Sequence, residues 1–192
     1  MTSIAVVKKD GYVAIAADTL TKWGYAKESA EYVVNNEKIF RAGGGYVGVS
    51  GSVAAELALR IIFKRLGSKS KLNNVTDIFT TWNRIHRTLK DEFFLNAHDS
   101  DDRSFETSRM NVLIANPYGI FGIGEYRSVQ EFAKFYAYGS GNEYAQGAMY
   151  AVYQEAGMSA EEIARRGVEA AAEFDEDTGL PITSYVLKLR KS

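Results

Sequence analysis

Two short runs of β-favouring, mostly apolar residues open the chain. They cover residues 2–9 and 12–18, and the dipeptide Asp10-Gly11 lies between them. An Asp-Gly pair between two such runs is the strongest short-range signal for a β-hairpin. The sequence therefore predicts an N-terminal hairpin whose first strand begins at Thr2.

The pattern of the next segments predicts a second hairpin followed by a helix. Residues 19–37 are polar, and strand-like runs at 38–41 and 46–50 then flank the glycines of 43–45. From Ser52 the apolar period lengthens to that of a helix ending near Gly67. The residues expected on its buried face are Ala54, Leu57, Ala58, Ile61 and Ile62.

The remainder of the chain reads as two helix pairs separated by strands. A helix is predicted over 76–94, a strand pair at 110–115 and 119–124, and a strand at 135–138. The expected buried stripe of the helix over 76–94 is Ile78, Trp82, Ile85, Leu89 and Phe93. Further helices are predicted over 142–155 and from a Ser159/Glu162 capping box to Phe174, and a last strand over 181–191.

This order of elements predicts an α+β fold. Hairpins favour antiparallel sheets, and two sheets with paired helices placed between the hairpins suggest a layered sandwich with helices outside. The length of 192 residues fits a single domain over 1–192. No composition shift, repeat or low-complexity tract marks a boundary within it.

Composition excludes several classes of function. A net charge of −1 and the lack of a basic block argue against nucleic-acid binding, and zero cysteines exclude thiolate sites. No apolar stretch approaches a membrane span, and the N-terminus does not resemble a signal peptide, so a soluble cytoplasmic protein is expected. The acidic loop with Asp99, Asp101, Asp102 and Glu106 lacks calcium-loop spacing, and His86 and His98 lack zinc partners. We expect neither metal nor cofactor.

Thr2 is the first candidate for chemistry. Threonine is small enough for a preceding methionine to be trimmed, which would leave the Thr2 hydroxyl beside a free α-amine. An amine with a reference pKa of about 8 can take the proton of a hydroxyl nucleophile. Nucleophile and base would then lie on one residue.

Three further residues could support such a nucleophile. Asp18 ends the second strand of the hairpin and could hold Lys38 charged and oriented, while Lys38 near Thr2 would favour deprotonation of its hydroxyl and amine. Gly51 stands where strand gives way to helix, and its N–H could stabilise an oxyanion. Each of these three residues could also serve the fold alone, as a strand-end, surface or turn residue. Gly139-Ser140-Gly141 lacks the third glycine of a nucleotide-binding loop, which argues against nucleotide binding.

Six segments carry a resemblance that joins these residues. They are 2–6, 15–18, 38–39, 49–55, 138–141 and 175–179. In this order they are similar to the landmarks of proteasome β-type subunits and the related bacterial peptidase HslV, most of all the betaproteobacterial proteasome homologues. The resemblance extends from Thr2 to about Leu189.

The resemblance implies an N-terminal-nucleophile hydrolase with a four-layer αββα sandwich of two antiparallel sheets. It further implies a threonine endopeptidase of stacked rings. By analogy Thr2 is the nucleophile, Asp18 the acidic partner, Lys38 the catalytic lysine and Gly51 the oxyanion glycine. A supporting polar cluster orients the amine, and two further residues contact substrate. The cluster is Ser140, Asp175 and Thr178, and the substrate residues are Lys22 and Val49.

The chain departs from the family pattern around the predicted cleft. The segment between Asp18 and Lys38 is a few residues longer, and Lys22 stands where threonine is common. Thr178 replaces a common serine, which keeps the hydroxyl. Together with Val49, Tyr25 and Tyr32 indicate a partly apolar pocket.

The implied partners are identical subunits in rings, an ATPase and unfolded polypeptide. Two other readings stay open at this point. One is a non-catalytic or latent ring scaffold, and the other is a small-molecule amidohydrolase with the same nucleophile. Retention of the four candidate catalytic positions argues against the scaffold.

Overall fold

The computed structural model describes residues 2–98 and 105–190. Met1 and the acidic residues Asp99, Asp101 and Asp102 of the expected exposed loop lie outside the described residues, as does Lys191. The strands are β1 Ser3–Lys9, β2 Tyr12–Asp18, β3 Thr21–Trp23, β4 Ala26–Glu28, β5 Ile39–Ala42, β6 Gly45–Ser50, β7 Asn111–Asn116, β8 Gly119–Ile123, β9 Val129–Phe132, β10 Phe135–Gly139 and β11 Ile182–Lys188. The helices are α1 Val53–Leu66, α2 Val75–Phe93, α3 Asn142–Val152 and α4 Ala160–Phe174.

Two antiparallel sheets form the centre of the molecule. One has the strand order β10-β1-β2-β11 and the other the order β5-β6-β7-β8-β9. Helices α3 and α4 pack on the first sheet, and α1 and α2 pack on the second. The predicted αββα sandwich is confirmed.

The N-terminal hairpin forms as its turn residues predict. Lys9 lies opposite Tyr12, and Asp10 and Gly11 have φ angles of 50° and 78°. Two consecutive positive φ angles define the type I′ turn that suits the twist of a tight hairpin. The hairpin lies in the middle of its sheet, since β10 flanks β1 and β11 flanks β2.

Both faces of the hairpin are buried, which explains its apolar sequence. Ile4, Val6 and Ile15 face the second sheet, where they meet Leu113 and Ile120. The alternate residues are mostly alanines and pack beneath α3 and α4. Small residues on that face let the helices approach the sheet closely. The contacts of both faces depend on the alternation of side chains along each strand, which has a period of two residues.

The helix predicted from the capping box is confirmed. The Ser159 side chain accepts a hydrogen bond from the Glu162 N–H, and the Glu162 carboxylate accepts one from the Ser159 N–H. These reciprocal bonds satisfy donors that every helix start leaves open. Ile163, Ala164 and Val168 form its buried face.

The buried face predicted for α1 is wrong in part. Ala58 and Ile62 are buried as expected, but they pack with Leu59 and Phe63, whereas Leu57 and Ile61 are exposed by 46% and 43%. Ala54 is exposed as well. Because α1 is apolar around most of its circumference, periodicity alone does not decide which face packs on the sheet.

Helix α2 matches its predicted stripe closely. Ile78, Trp82, Ile85 and Leu89 are buried, and Phe93 packs partly buried beside them. The sequence pattern did not predict three short strands, which are β3, β4 and β9. Helix α3 ends at Val152, three residues earlier than expected. Among residues 2–98 and 105–190, no helix combines the length and the apolar character that crossing a membrane requires.

Candidate active site

Thr2 is fixed at one end of the first sheet. The N–H of Ser140 donates to the Thr2 carbonyl at 3.1 Å, directly beyond the pairing of Ser3 with Gly139. Gly139 has a φ of 110°, and a Cβ atom there would lie 1.6 Å from the Thr2 carbonyl oxygen. Only glycine permits this approach, so the sequence of the β10 end determines where Thr2 lies.

The hairpin register brings Asp18 and Lys38 together beside the N-terminus. Ser3 N–H donates to Asp18 Oδ1 at 2.9 Å, and Lys38 Nζ donates to the same oxygen at 2.8 Å. Lys38 Nζ also donates to the Leu20 carbonyl at 2.7 Å. The lysine that opens the second hairpin is thus tied to the strand end of the first.

Burial sets the electrostatics of this ion pair. The Asp18 side chain is fully buried and that of Lys38 is 9% exposed. Burial raises the pKa of Asp18, which Lys38 and backbone N–H groups oppose, and burial lowers the pKa of Lys38, which Asp18 opposes. Asp18 Oδ2 also accepts from the N–H groups of Leu20 and Gly179, each at 3.2 Å. Because all four bonded groups are donors, the site holds Asp18 ionised and Lys38 charged.

A second polar cluster lies against the backbone of residues 2 and 3. Asp175 Oδ2 accepts from the hydroxyls of Ser140 and Thr178, both at 2.6 Å. The hydroxyls of Thr178 and Ser3 are 2.7 Å apart, and Ser3 Oγ accepts from the Gly141 N–H at 3.1 Å. The structure thus brings Ser140, Asp175 and Thr178 together as the resemblance implied, with Ser3 as a fourth member.

A cleft of about 330 Å³ opens beside Thr2. Thr2, Lys38, Val49 and Gly51 all line it. The remaining lining residues are Leu20, Thr21, Lys22, Trp23, Ser52, Val53, Ala54 and Glu56. A Cβ atom on Gly51 would lie 2.9 Å from the Met110 Cβ, so a side chain there would disturb the wall of the cleft.

The predicted substrate residues line the cleft, but the predicted tyrosines do not. Lys22 is on β3, where its ammonium forms ion pairs with Asp177 and, at 3.8 Å, with Glu176. Tyr25 and Tyr32 are exposed to solvent and lie outside the cleft lining. The apolar part of the wall comes from Val49, as predicted, and from Leu20, Trp23 and Val53.

Several site residues escaped the sequence reasoning. Ser3 is a polar residue on an otherwise apolar strand, a signal that could have indicated its role. Leu20 and Gly179 contribute only backbone groups, and no side-chain pattern reports these. Glu56 lies on α1, whose orientation the sequence left open.

The histidines form no candidate metal or catalytic centre. Buried His86 has Nδ1 3.0 Å from the Ser108 hydroxyl and Nε2 3.1 Å from Glu106, and Ser108 is fully buried. Lys90 and His86 hold the pKa of Glu106 down at about 2. This network ties the loop before β7 to α2. Within the described ranges, no group of three or more His, Asp or Glu side chains could hold a metal ion.

Comparisons with known proteins agree with this fold. No protein-family model matches the chain. It is 29% identical over 192 residues to the ATP-dependent protease subunit HslV of Petrotoga mobilis, covering 97% of each chain. The HslV structure from Trypanosoma brucei, 20% identical over 97% of this chain and 99% of that one, has the same fold at a TM-score of 0.72.

Solved structures of a bacterial relative are more similar. The chain is 51% identical to Thiobacillus denitrificans BPH over the full length of both chains, at a TM-score of 0.94. The structure of that protein in complex with epoxomicin is 52% identical over 99% of this chain and all of that one, at a TM-score of 0.93. With this whole-length identity and the sandwich that the neighbours share, the chain belongs to the proteasome β-type and HslV family of threonine peptidases.

Proposed function

We propose that the chain is an N-terminal threonine endopeptidase whose nucleophile is Thr2 after removal of Met1. The observation that carries the proposal is the cleft that Thr2 shares with Lys38, whose ammonium is held by buried Asp18. A hydroxyl at this position shares its cleft with a cation and has space for a peptide. The complex of Thiobacillus denitrificans BPH with epoxomicin supports the same use of the cleft.

The proposed reaction begins with attack of the Thr2 hydroxyl oxygen on a peptide carbonyl carbon. The hydroxyl proton passes to the freed α-amine, and the Gly51 N–H stabilises the negative charge that develops on the carbonyl oxygen. The amine then returns the proton to the leaving nitrogen as the C–N bond breaks. Water hydrolyses the resulting ester, which releases a carboxylate and restores Thr2.

The charged Lys38 and the polar cluster have separate proposed roles. The Lys38 cation lowers the cost of removing the Thr2 proton, because a nearby positive charge favours the deprotonated form of its neighbours. Asp175 and Thr178, with Ser140 and Ser3, hold the backbone at the point where the amine would be freed. Their role is to orient the base rather than to touch the substrate.

Assembly into rings of identical subunits is part of the proposal. The single chain exposes large apolar residues on α1 and on the segment between β2 and β5, which soluble monomers rarely do. They are Tyr25, Tyr32, Val34, Leu57 and Ile61. A neighbouring subunit covering them would explain why α1 is apolar on its outer side.

A partner that unfolds substrates is also proposed. The Petrotoga mobilis relative is named as a subunit of an ATP-dependent protease. This chain shows no nucleotide-binding motif, so an ATPase partner would supply the energy. We propose unfolded polypeptides of the cytoplasm as substrates.

The test is the intact mass of the purified protein before and after incubation with a peptide epoxyketone. We expect a mass without Met1 that increases by one inhibitor molecule, because the free amine and hydroxyl of Thr2 react together with this group. Thr2→Ala should take no adduct and hydrolyse no peptide, with an unchanged thermal unfolding temperature. Thr80→Ala, at an exposed position on α2, is the matched control and should behave as wild type.

Each other outcome has a distinct meaning. Turnover by Thr2→Ala close to that of wild type would refute Thr2 as the nucleophile. Retained Met1 would favour the scaffold reading, and a processed protein that takes no adduct would indicate an inactive ring.

A further inference from the structure

Glu56 is the acidic residue in the lining of the Thr2 cleft. It lies in the first turn of α1, and its side chain is 13% exposed. The same wall contains the apolar side chains of Leu20, Val49 and Val53. A substrate side chain that enters would therefore pass apolar surface and meet one carboxylate.

The Glu56 carboxylate is held in place on one side. Its Oε1 accepts from Arg60 Nε at 2.8 Å, one helical turn further along α1. Arg60 is itself anchored, because its Nη2 donates to the carbonyls of Glu37 at 2.6 Å and Ile39 at 3.3 Å. Within the described parts of the chain, Oε2 of Glu56 has no hydrogen-bond donor. One oxygen is thus oriented while the other can accept a bond from a ligand.

Among the residues that line the cleft, Glu56 carries the carboxylate that a basic substrate side chain can meet. Lys38 is paired with Asp18, and Lys22 is paired with both Asp177 and Glu176. With the Arg60–Glu56 pair included, these pairs hold three cations and four carboxylates, and the surplus negative charge is that of the exposed Glu176 beside Lys22. An acidic substrate side chain would be repelled, and a basic one would restore neutrality.

We propose that Glu56 makes this cleft select lysine or arginine at the substrate residue before the cleaved bond. The proposal rests on the proposed peptidase function. The aliphatic stem of either side chain would cover Leu20 and Val49, and its charged end would donate to Glu56 Oε2. Glu56 is a specificity-determining residue here, distinct from the groups that act on the peptide bond.

The test uses fluorogenic peptides that differ only at this residue, with arginine, citrulline or leucine before the coumarin amide. Citrulline has nearly the shape of arginine without its charge. We expect wild type to cleave the arginine peptide with a kcat/KM about tenfold or more above that of the citrulline peptide, as for a hydrogen bond between charged groups. Glu56→Gln should bring the two within about twofold, and Glu169→Gln, at an exposed position of α4, should keep the wild-type ratio.

The leucine peptide separates failure of the inference from failure of the proposed function. If wild type cleaves no peptide, including this one, the peptidase proposal fails. If wild type cleaves leucine but prefers citrulline to arginine, or if Glu56→Gln keeps the preference, Glu56 does not determine specificity. Equal loss on all peptides in a folded Glu56→Gln protein would also overturn the proposal.

A second measurement on wild type needs no folded variant. Burial raises the pKa of Glu56 above its usual value, opposed by Arg60 and Lys38 and assisted by Glu37. The arginine-to-citrulline ratio should therefore fall as the pH is lowered and Glu56 takes up a proton. Arginine stays charged throughout, and titration of the Thr2 amine affects both peptides equally. A ratio independent of pH would contradict the inference.

Discussion

Two lysines line the same cleft, and each pairs with carboxylates outside the cleft lining in different surroundings. Lys38 pairs with Asp18 at 2.8 Å, deep at the end of the first sheet. Lys22 pairs with Asp177 and Glu176, and it joins the short strand β3 to the loop after α4. The first pair lies beside the N-terminus, whereas the second extends to the surface through Glu176, which is 84% exposed although Asp177 is only 7% exposed.

The surroundings shift the pKa of the two lysines in opposite directions. Burial lowers the pKa of Lys38, although Asp18 opposes the shift. The hydrogen bond to Asp177 raises the pKa of Lys22. Lys22 therefore remains a fixed cation, while Lys38 can lose its proton at a lower pH than an ordinary lysine.

The comparison teaches that the bonds around the carboxylate, not the exposure of the lysine, distinguish the two pairs, because the Lys22 and Lys38 side chains are 10% and 9% exposed. Asp18 is surrounded by three backbone N–H groups as well as Lys38, because it ends a strand in the middle of a sheet. Asp177 lies in the loop after α4 and pairs with the Lys22 ammonium on the short β3–β4 hairpin. We propose that the first pair acts on Thr2 and that the second holds the cleft wall.

The largest effect should come from removing the buried lysine. We expect Lys38→Ala to lower kcat/KM by at least about 100-fold, because Thr2 loses the cation that favours its deprotonation. Asp18 would be left buried without its partner, which should reduce the free energy of unfolding by about 3–5 kcal/mol. Peptide hydrolysis and urea unfolding measure the two effects, and Lys64→Ala on the exposed side of α1 is the control. Full activity in Lys38→Ala would make Lys38 purely structural.

The pH dependence of kcat/KM should sharpen the comparison further. The proposed mechanism needs a neutral Thr2 amine and a charged Lys38, so activity should rise with pH as the amine loses its proton and fall again as Lys38 loses its own. Because the pKa of Lys38 is lowered, the alkaline fall should begin below the 10.5 of an ordinary lysine. Lys22→Met should leave the alkaline fall of kcat/KM at the same pH. A shift of that fall in this variant would show that Lys22, and not Lys38, is the group that titrates.

The smallest effect should come from the rim pair. We expect Lys22→Met to change kcat/KM by no more than about tenfold, mainly through KM, because the tie between β3 and the 175–179 loop loosens without altering Thr2. Steady-state kinetics on the leucine peptide measure the effect. Lys27→Met is the matched control, since Lys27 is exposed directly opposite Lys22 in the same hairpin. A loss as large as that of Lys38→Ala would abolish the distinction between the pairs.

Much of the fold could be predicted because local signals agreed with the tertiary packing. Asp10-Gly11 formed its predicted turn, and Ser159 with Glu162 began α4, since both features depend on residues a few positions apart. The face of α1 could not be predicted, because apolar residues surround most of that helix. The short strands β3 and β4 were missed because their sequence is polar and they bury little surface.

The sequence by itself determined the elements, their order and the residue types that carry the chemistry. It placed Thr2 at the start of a strand, Asp18 at the end of the next and Lys38 at the start of the second hairpin. Only the tertiary structure decided that these residues meet, that Lys22 has its own carboxylates and that Glu56 faces the cleft. Strand register and helix rotation fix those contacts, and both depend on packing between residues far apart in the chain.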